Sequence, residues 1–308
     1  MIAIDELWPA LLDCRAAVQA GKGAPFDEAG VFAREASGHW RFANKKVGNV
    51  DWSAAQDRIV CSLTQPIPKH LRSLLGITAH YLDLLIAQAR WRRARPVTTG
   101  SVAQSIDGYI ATQTGDSQWI GNEANLVHAH RLRALHDAVL VGWKTLDQDR
   151  PALTVRKVTG ENPQRISITG QSNLPARALE PLRGPTVIFK PCANKGLIGS
   201  HPFASFETIE PNEVTGRIEP AHMMLRLAQR GIRSLLVEGG GLTLSCLHAA
   251  GLLDRLDVHI APIFLGEGIA SLTTLTVDKI SEALEYPAES YILDGQALMS
   301  VKFNTADE

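Results

Sequence analysis

From Val97 onward the chain alternates apolar runs of strand length with helical patterns and glycine- or proline-bearing joints, and that alternation restricts this stretch to an α/β domain. Strands are expected over Val97–Ala103, Ala138–Gly142, Arg165–Thr169, Thr186–Lys190, Ser234–Val237, Leu256–Ala261 and Tyr291–Phe303, with helices over Asn122–His136, Pro220–Gln229 and Leu242–Ala250. The first third reads differently. LWPALLDCRAAVQA and HLRSLLGITAHYLDLLIAQARW are amphipathic helical patterns. His80 and Asp83 within the second suggest a helix packed on one face. Between the two, WRFANKKVGNVDW is basic and turn-rich, without evident chemistry. The basic junction RWRRARP ends at Pro96, where a helix must stop, so the chain divides into a small, mainly helical domain over 1–95 and the α/β domain over 96–308.

A formal net charge of −1 gives no electrostatic basis for general binding to nucleic acid or membrane. Cys14, Cys61, Cys192 and Cys246 are far apart with no CxxC pair, which fits free thiols in a reducing compartment. The start, MIAIDELWPALL, is acidic where a secretory signal is basic, and no segment approaches the ~20 uninterrupted apolar residues of a membrane span. A soluble, cytoplasmic protein is expected. No metal is expected either: His128 and His130 are two apart on a helix and face different ways, and the HxE…PCxxC pattern of zinc deaminases is absent.

Several short motifs could carry chemistry. VEGGGLTLS, Val237–Ser245, joins a strand to a helix, a geometry that serves either a tight turn or a phosphate held on the helix's first amides. It lacks the full GxGxxG spacing of a dinucleotide fingerprint. GDSQWI offers a hydroxyl and an aromatic two positions apart, able to hydrogen-bond an anion and cover a flat ring. In HRLRALHD, Arg131 and Arg133 lie ~200° apart around a helix, so one of them faces any given site, and periodicity does not choose between them.

The order SIDGYIAT, GDSQWI, HRLRALHDAVLVGWKTLDQDRPALTVR, then VEGGGLTLS resembles the riboflavin-pathway pyrimidine reductases, a family with a dihydrofolate-reductase-like fold that is often fused behind a zinc deaminase. The resemblance covers residues 96–308 and implies an NADPH-dependent reductase of 5-amino-6-(5-phosphoribosylamino)uracil. It implies a mixed sheet flanked by helices and, as the expected assembly, a homodimer. It assigns Ser117, Arg133, Leu153, Arg156 and Glu238 to the phosphorylated substrate, Glu238 also orienting it or helping to deliver a proton. It assigns Ala103, Trp119, Thr145, Asp149, Gly240, Gly241, Leu242, Thr243, Leu244 and Ser245 to NADPH. Three positions depart from the family pattern: Tyr109 where a basic residue is usual, Arg150 where a second acidic residue precedes proline, and Gly170 where serine is frequent. Arg150 is thereby a candidate for the cofactor's extra phosphate. The Tyr109 departure keeps open a pterin or another heterocycle as substrate, and a third reading is a non-catalytic nucleotide sensor or assembly protein on the same fold.

Overall fold

The computed structural model describes residues 4–20, 29–34, 40–45, 53–55, 58–62, 67, 69, 72, 75–89, 95–118, 120–170, 179–180, 182, 184–192, 201–273 and 276–303. The chain separates into two compact units, Met1–Arg93 with Thr159–Glu161, and Ala94–Val158 with Asn162–Glu308.

In the first unit, α1 (Ile4–Ala20) buries Leu7, Leu11, Cys14 and Val18, a four-three-four spacing that makes one apolar stripe. Trp8 Nε1 donates to the Thr159 carbonyl at 2.9 Å, within the same unit. Four strands follow: β1 (Ala29–Arg34), β2 (Trp40–Lys45), β3 (Ser53–Ala55) and β4 (Arg58–Ser62), an antiparallel sheet in the order β2-β1-β4-β3. The unit therefore adds a sheet to its expected helices, and the turn-rich stretch after Trp40 starts as a strand. The second helix, α2 (Ile77–Ala89), is buried on nearly every side, not on one face. Its Asp83 is accommodated because Arg72 grips both carboxylate oxygens at 2.8 and 3.0 Å, and a paired, hydrogen-bonded charge is the form a protein interior tolerates.

The second unit contains β5 (Val97–Ser105), β6 (Tyr109–Thr112), α3 (Glu123–Leu135), β7 (Ala138–Gly142), α4 (Trp143–Gln148), β8 (Gln164–Ile168), β9 (Thr186–Pro191) and β10 (Ala204–Ile209). It continues with α5 (Pro220–Gln229), β11 (Ser234–Glu238), α6 (Gly241–Ala249), β12 (Arg255–Ala261), β13 (Gly268–Ala270), β14 (Ala288–Leu293) and β15 (Gln296–Lys302). Nine strands form one sheet in the order β10-β9-β8-β7-β11-β5-β12-β15-β14. The first seven in that order are parallel, and β15 and β14 close it antiparallel. β7 (AVLVG) and Leu235–Val237 at the centre of β11 are unbroken apolar runs, because central parallel strands are covered on both faces. Leu140, Phe189, Leu235, Val237, Met223 and Leu227 share the core. This is the mixed sheet flanked by helices that the resemblance implies.

The single strand expected over Tyr291–Phe303 is instead the hairpin β14–β15. Asp294 and Gly295 turn it with φ of +49° and +77°, the left-handed pair of a tight hairpin. At the other end of the unit, Arg95 grips Asp254 at 2.8 and 2.7 Å, and Asp254 also accepts the Thr98 amide at 2.8 Å, so the entry to β5 is clamped.

Candidate active site

β7 and β11 are sheet neighbours, yet their chains leave in opposite directions along the sheet, one to β8 and the other across β5 to β12. Such a switch point opens a crevice beyond the carboxyl ends of the strands. β11 ends at Glu238, and Gly239 and Gly240 follow with φ of +85° and +70°. Only glycine adopts this backbone freely, and it sets the first turn of α6 facing the end of β7. Two glycines at the joint leave no room for a Cβ without a shift. A Cβ on Gly241 would lie 2.4 Å from the Ala270 carbonyl oxygen, and one on Gly142 2.7 Å from Thr243 Oγ1. Around Gly240, Thr243 Oγ1 and Thr145 Oγ1 stand 3.3 and 3.6 Å from where a Cβ would be, so two hydroxyls and the amides opening α6 converge on one place.

The crevice is a mainly apolar cleft of about 610 Å³, within the ordinary range for a cofactor site, lined by Thr145, Gly240, Leu242 and Thr243 with two cations, Lys144 and Arg217, beside them. The backbone cradle, the paired hydroxyls and the flanking cations suit a phosphate-bearing dinucleotide.

The opposite end of the β11 turn holds Glu238, and here the structure joins two residues that the resemblance assigns to the substrate. Arg133 Nε donates to Glu238 Oε1 at 2.7 Å and Nη2 to Oε2 at 2.6 Å. The pair is largely buried, with 12% and 16% of the side chains exposed. Nη1 donates to the Thr154 carbonyl at 3.0 Å. Burial opposes the guanidinium's charge, but the Glu238 carboxylate outweighs it and raises the Arg133 pKa above its ordinary value. Arg156 Nη1 reaches Thr154 Oγ1 at 3.3 Å, so both arginines address one residue. His130 is buried, and its Nδ1 accepts the Arg156 amide at 3.1 Å. His128 turns elsewhere, to Asp257 at 3.3 Å, as their spacing requires.

The remaining candidates occupy several different environments. Ser117 is part-exposed, and Trp119 lies outside the described residues. Ala103 sits in β5 beside His259 of β12. Asp149 caps α4 at the surface, its amide bonded to the Thr145 carbonyl at 3.0 Å. Leu153 is buried at 2% exposure with φ +51°, so it shapes the backbone of its segment. Leu244 belongs to the core, and Ser245 is buried with its Oγ accepting the Thr273 amide at 3.0 Å. Among the lining residues of the cleft, Arg150 does not appear: it borders a small recess with Leu153 and Arg165 instead. Arg217, which sequence reasoning missed, comes from the turn between β10 and α5, where the Asn212 amide bonds the Arg217 carbonyl at 2.8 Å. The only local signal for it is the PNEVTGRIEP turn before a proline-initiated helix.

A model of the RibD C-terminal domain family matches residues 96–282. The riboflavin biosynthesis protein RibD of Aquifex aeolicus is 34% identical over 198 residues, covering 62% of this chain and 53% of that protein. The 2,5-diamino-6-ribosylamino-4(3H)-pyrimidinone 5′-phosphate reductase of Methanothermobacter thermautotrophicus is 34% identical over 182 residues, covering 56% of this chain and 80% of that protein. The solved diaminohydroxyphosphoribosylaminopyrimidine deaminase/5-amino-6-(5-phosphoribosylamino)uracil reductase of Thermotoga maritima has the same fold, with a TM-score of 0.58 at 23% identity over 73% of this chain and 61% of that one. The chain spans about half the length of the RibD proteins it matches.

Proposed function

The chain belongs to the RibD C-terminal domain family, and on that premise we propose that it is an NADPH-dependent reductase of 5-amino-6-(5-phosphoribosylamino)uracil or a close analogue. The observation that carries this reading is the adjacency of the two centres: the crevice and the Glu238–Arg133 pair are the two ends of a single strand-to-helix turn. A cofactor in the crevice and a phosphorylated heterocycle on the Arg133 side would meet at Gly239.

NADPH, when bound, supplies the hydride that reduces the opened ribosylamine. The chain's own part is binding, orientation and exclusion of water. Gly240 and the amides that open α6 receive the cofactor's phosphates, with Thr145 and Thr243 donating hydroxyls. Arg217 and Lys144 on the cleft wall, in place of Arg150, attract the extra phosphate. In the Arg133 pair both Glu238 oxygens accept N–H groups. Each oxygen keeps a lone pair for the ring N–H groups of an aminopyrimidine, which makes Glu238 an orienting residue.

The test is a mass-spectrometric turnover screen with NADPH against phosphorylated aminouracils and dihydropterins, paired with calorimetry of NADPH and NADH. Reduction of the aminouracil and at least about tenfold weaker binding of NADH are expected. Turnover of dihydropterins alone would move the protein to the pterin reading, and equal affinities would remove the phosphate role of Arg217.

A further inference from the structure

Residues 150–158 have no regular secondary structure, and the segment contains two non-glycine residues in the left-handed region, Arg150 at φ +47° and Leu153 at φ +51°. A backbone of that shape persists only where its surroundings dictate it. Here four consecutive residues are each held by a different contact. Leu153 is sunk to 2% exposure, the Thr154 carbonyl accepts from Arg133, the Val155 amide donates to Asn162 Oδ1 at 2.7 Å, and the Arg156 amide donates to His130 Nδ1 at 3.1 Å. Two of the four holds come from α3. His130 and Arg133 are three apart and so share a face of the helix, from which they address Arg156 and Thr154.

We propose that His130 is a positioning residue for the substrate's phosphate: by accepting the Arg156 amide it fixes the segment that brings the second arginine to Thr154 beside Arg133. The proposal rests on the reductase reading above and adds to it a residue that touches neither substrate nor cofactor. An accepting Nδ1 requires a neutral ring, and the surroundings keep it so. Burial first, then Arg133 on the same helix and Arg156 and Lys157 on the segment, push the His130 pKa down to about 4, against the opposing pull of Glu123. A histidine exposed at 1% among three cations contributes no charge to an anion site. Its contribution is a fixed lone pair.

The experiment uses the full chain with three substitutions. His130→Leu removes the acceptor, His130→Asn restores one close to the Nδ1 position, and His130→Gln places one further out. With the phosphorylated aminouracil, His130→Leu should raise KM about tenfold, the loss of one buried hydrogen bond, with kcat and NADPH affinity within about twofold of wild type. His130→Asn should return KM to within about threefold of wild type, and the dephosphorylated analogue should show no such pattern. Equal behaviour of the Leu and Asn variants, or an equal rise for the dephosphorylated analogue, overturns the proposal. Where His130→Leu fails to fold by circular dichroism, His130→Gln takes its place, and KM values for Gln and Asn that match overturn it likewise. Calorimetry with ribose 5-phosphate separates this idea from the reading beneath it. Binding by wild type without turnover overturns the reductase reading alone, and His130→Leu must then weaken that binding about tenfold or the positioning role falls too. No turnover and no ribose 5-phosphate binding by wild type overturns both.

Discussion

Arg133 has its Nε, Nη1 and Nη2 groups committed within the chain, two of them to Glu238 and one to the Thr154 carbonyl, before any substrate arrives. Arg133→Ala would strand a largely buried carboxylate, and such a loss costs about 3 kcal/mol. Urea unfolding of Arg133→Ala should show it, and Arg133→Lys should recover less than half, because an ammonium cannot make the planar bidentate contact. Helix geometry separated Arg131 from Arg133 without choosing between them, and the family resemblance nominated Arg133; its pairing was not legible, since the partner lies 105 residues further on and no local pattern joins them. His130 gives a second prediction. Its pKa of about 4 in the fold lies below the ordinary histidine value of 6.5, so the unfolded chain binds the extra proton between those values. The neutral ring's contribution is complete above about pH 6.5 and lost as pH falls through about 4, with a ceiling of about 3 kcal/mol. Wild type should therefore lose more unfolding free energy than His130→Asn between about pH 7 and about pH 4.5, as measured by urea titration. Equal losses would show that other groups control the acid limb.

At the scale of the element, the central strands were legible because burial on both faces makes them continuous apolar runs. Ala138–Gly142 and Pro220–Gln229 fall where periodicity places them, the latter opening on a proline suited to a first helical turn. What periodicity missed has physical reasons. The edge strand β10 is only partly buried along ASFETI, β6 and β13 are three or four residues long, and the described helix α4 is six. The Asp294-Gly295 dipeptide was the available sign that Tyr291–Phe303 folds back, and its left-handed φ values show it as a hairpin turn. The glycine joint was recognised in the sequence as a turn or phosphate site, but which of its glycines tolerates no side chain depends on Ala270, far along the chain. Gly241→Ala should shift α6 away from the Ala270 carbonyl, with NADPH binding at least about tenfold weaker by calorimetry and a Tm lower by several degrees. An alanine variant with wild-type affinity would mean that the joint is not where the cofactor's phosphates bind.

For the whole molecule, the two units make the fragment Ala94–Glu308 a test of independence: we expect it to fold and to bind NADPH. A fragment starting at Val97 should melt several degrees lower, because it lacks Arg95 and leaves Asp254 without its bidentate partner. Insolubility of both fragments beside a stable, monomeric full chain would mean that the units share a core. The first unit was the least legible part. Its helices showed as amphipathic periods, while the strands Ala29–Arg34 and Arg58–Ser62 are short runs whose pairing is set across the chain. One excursion binds its story to the site. Thr159–Glu161 pack with the N-terminal unit, where Trp8 donates to the Thr159 carbonyl, and Arg156 stands three residues earlier. His130 holds the segment at the Arg156 amide, and three residues on, the main chain passes to Thr159–Glu161, whose contact is with α1. Removing residues 1–93, as the Ala94–Glu308 fragment does, therefore releases Thr159–Glu161 from α1 while His130 keeps its hold on the Arg156 amide.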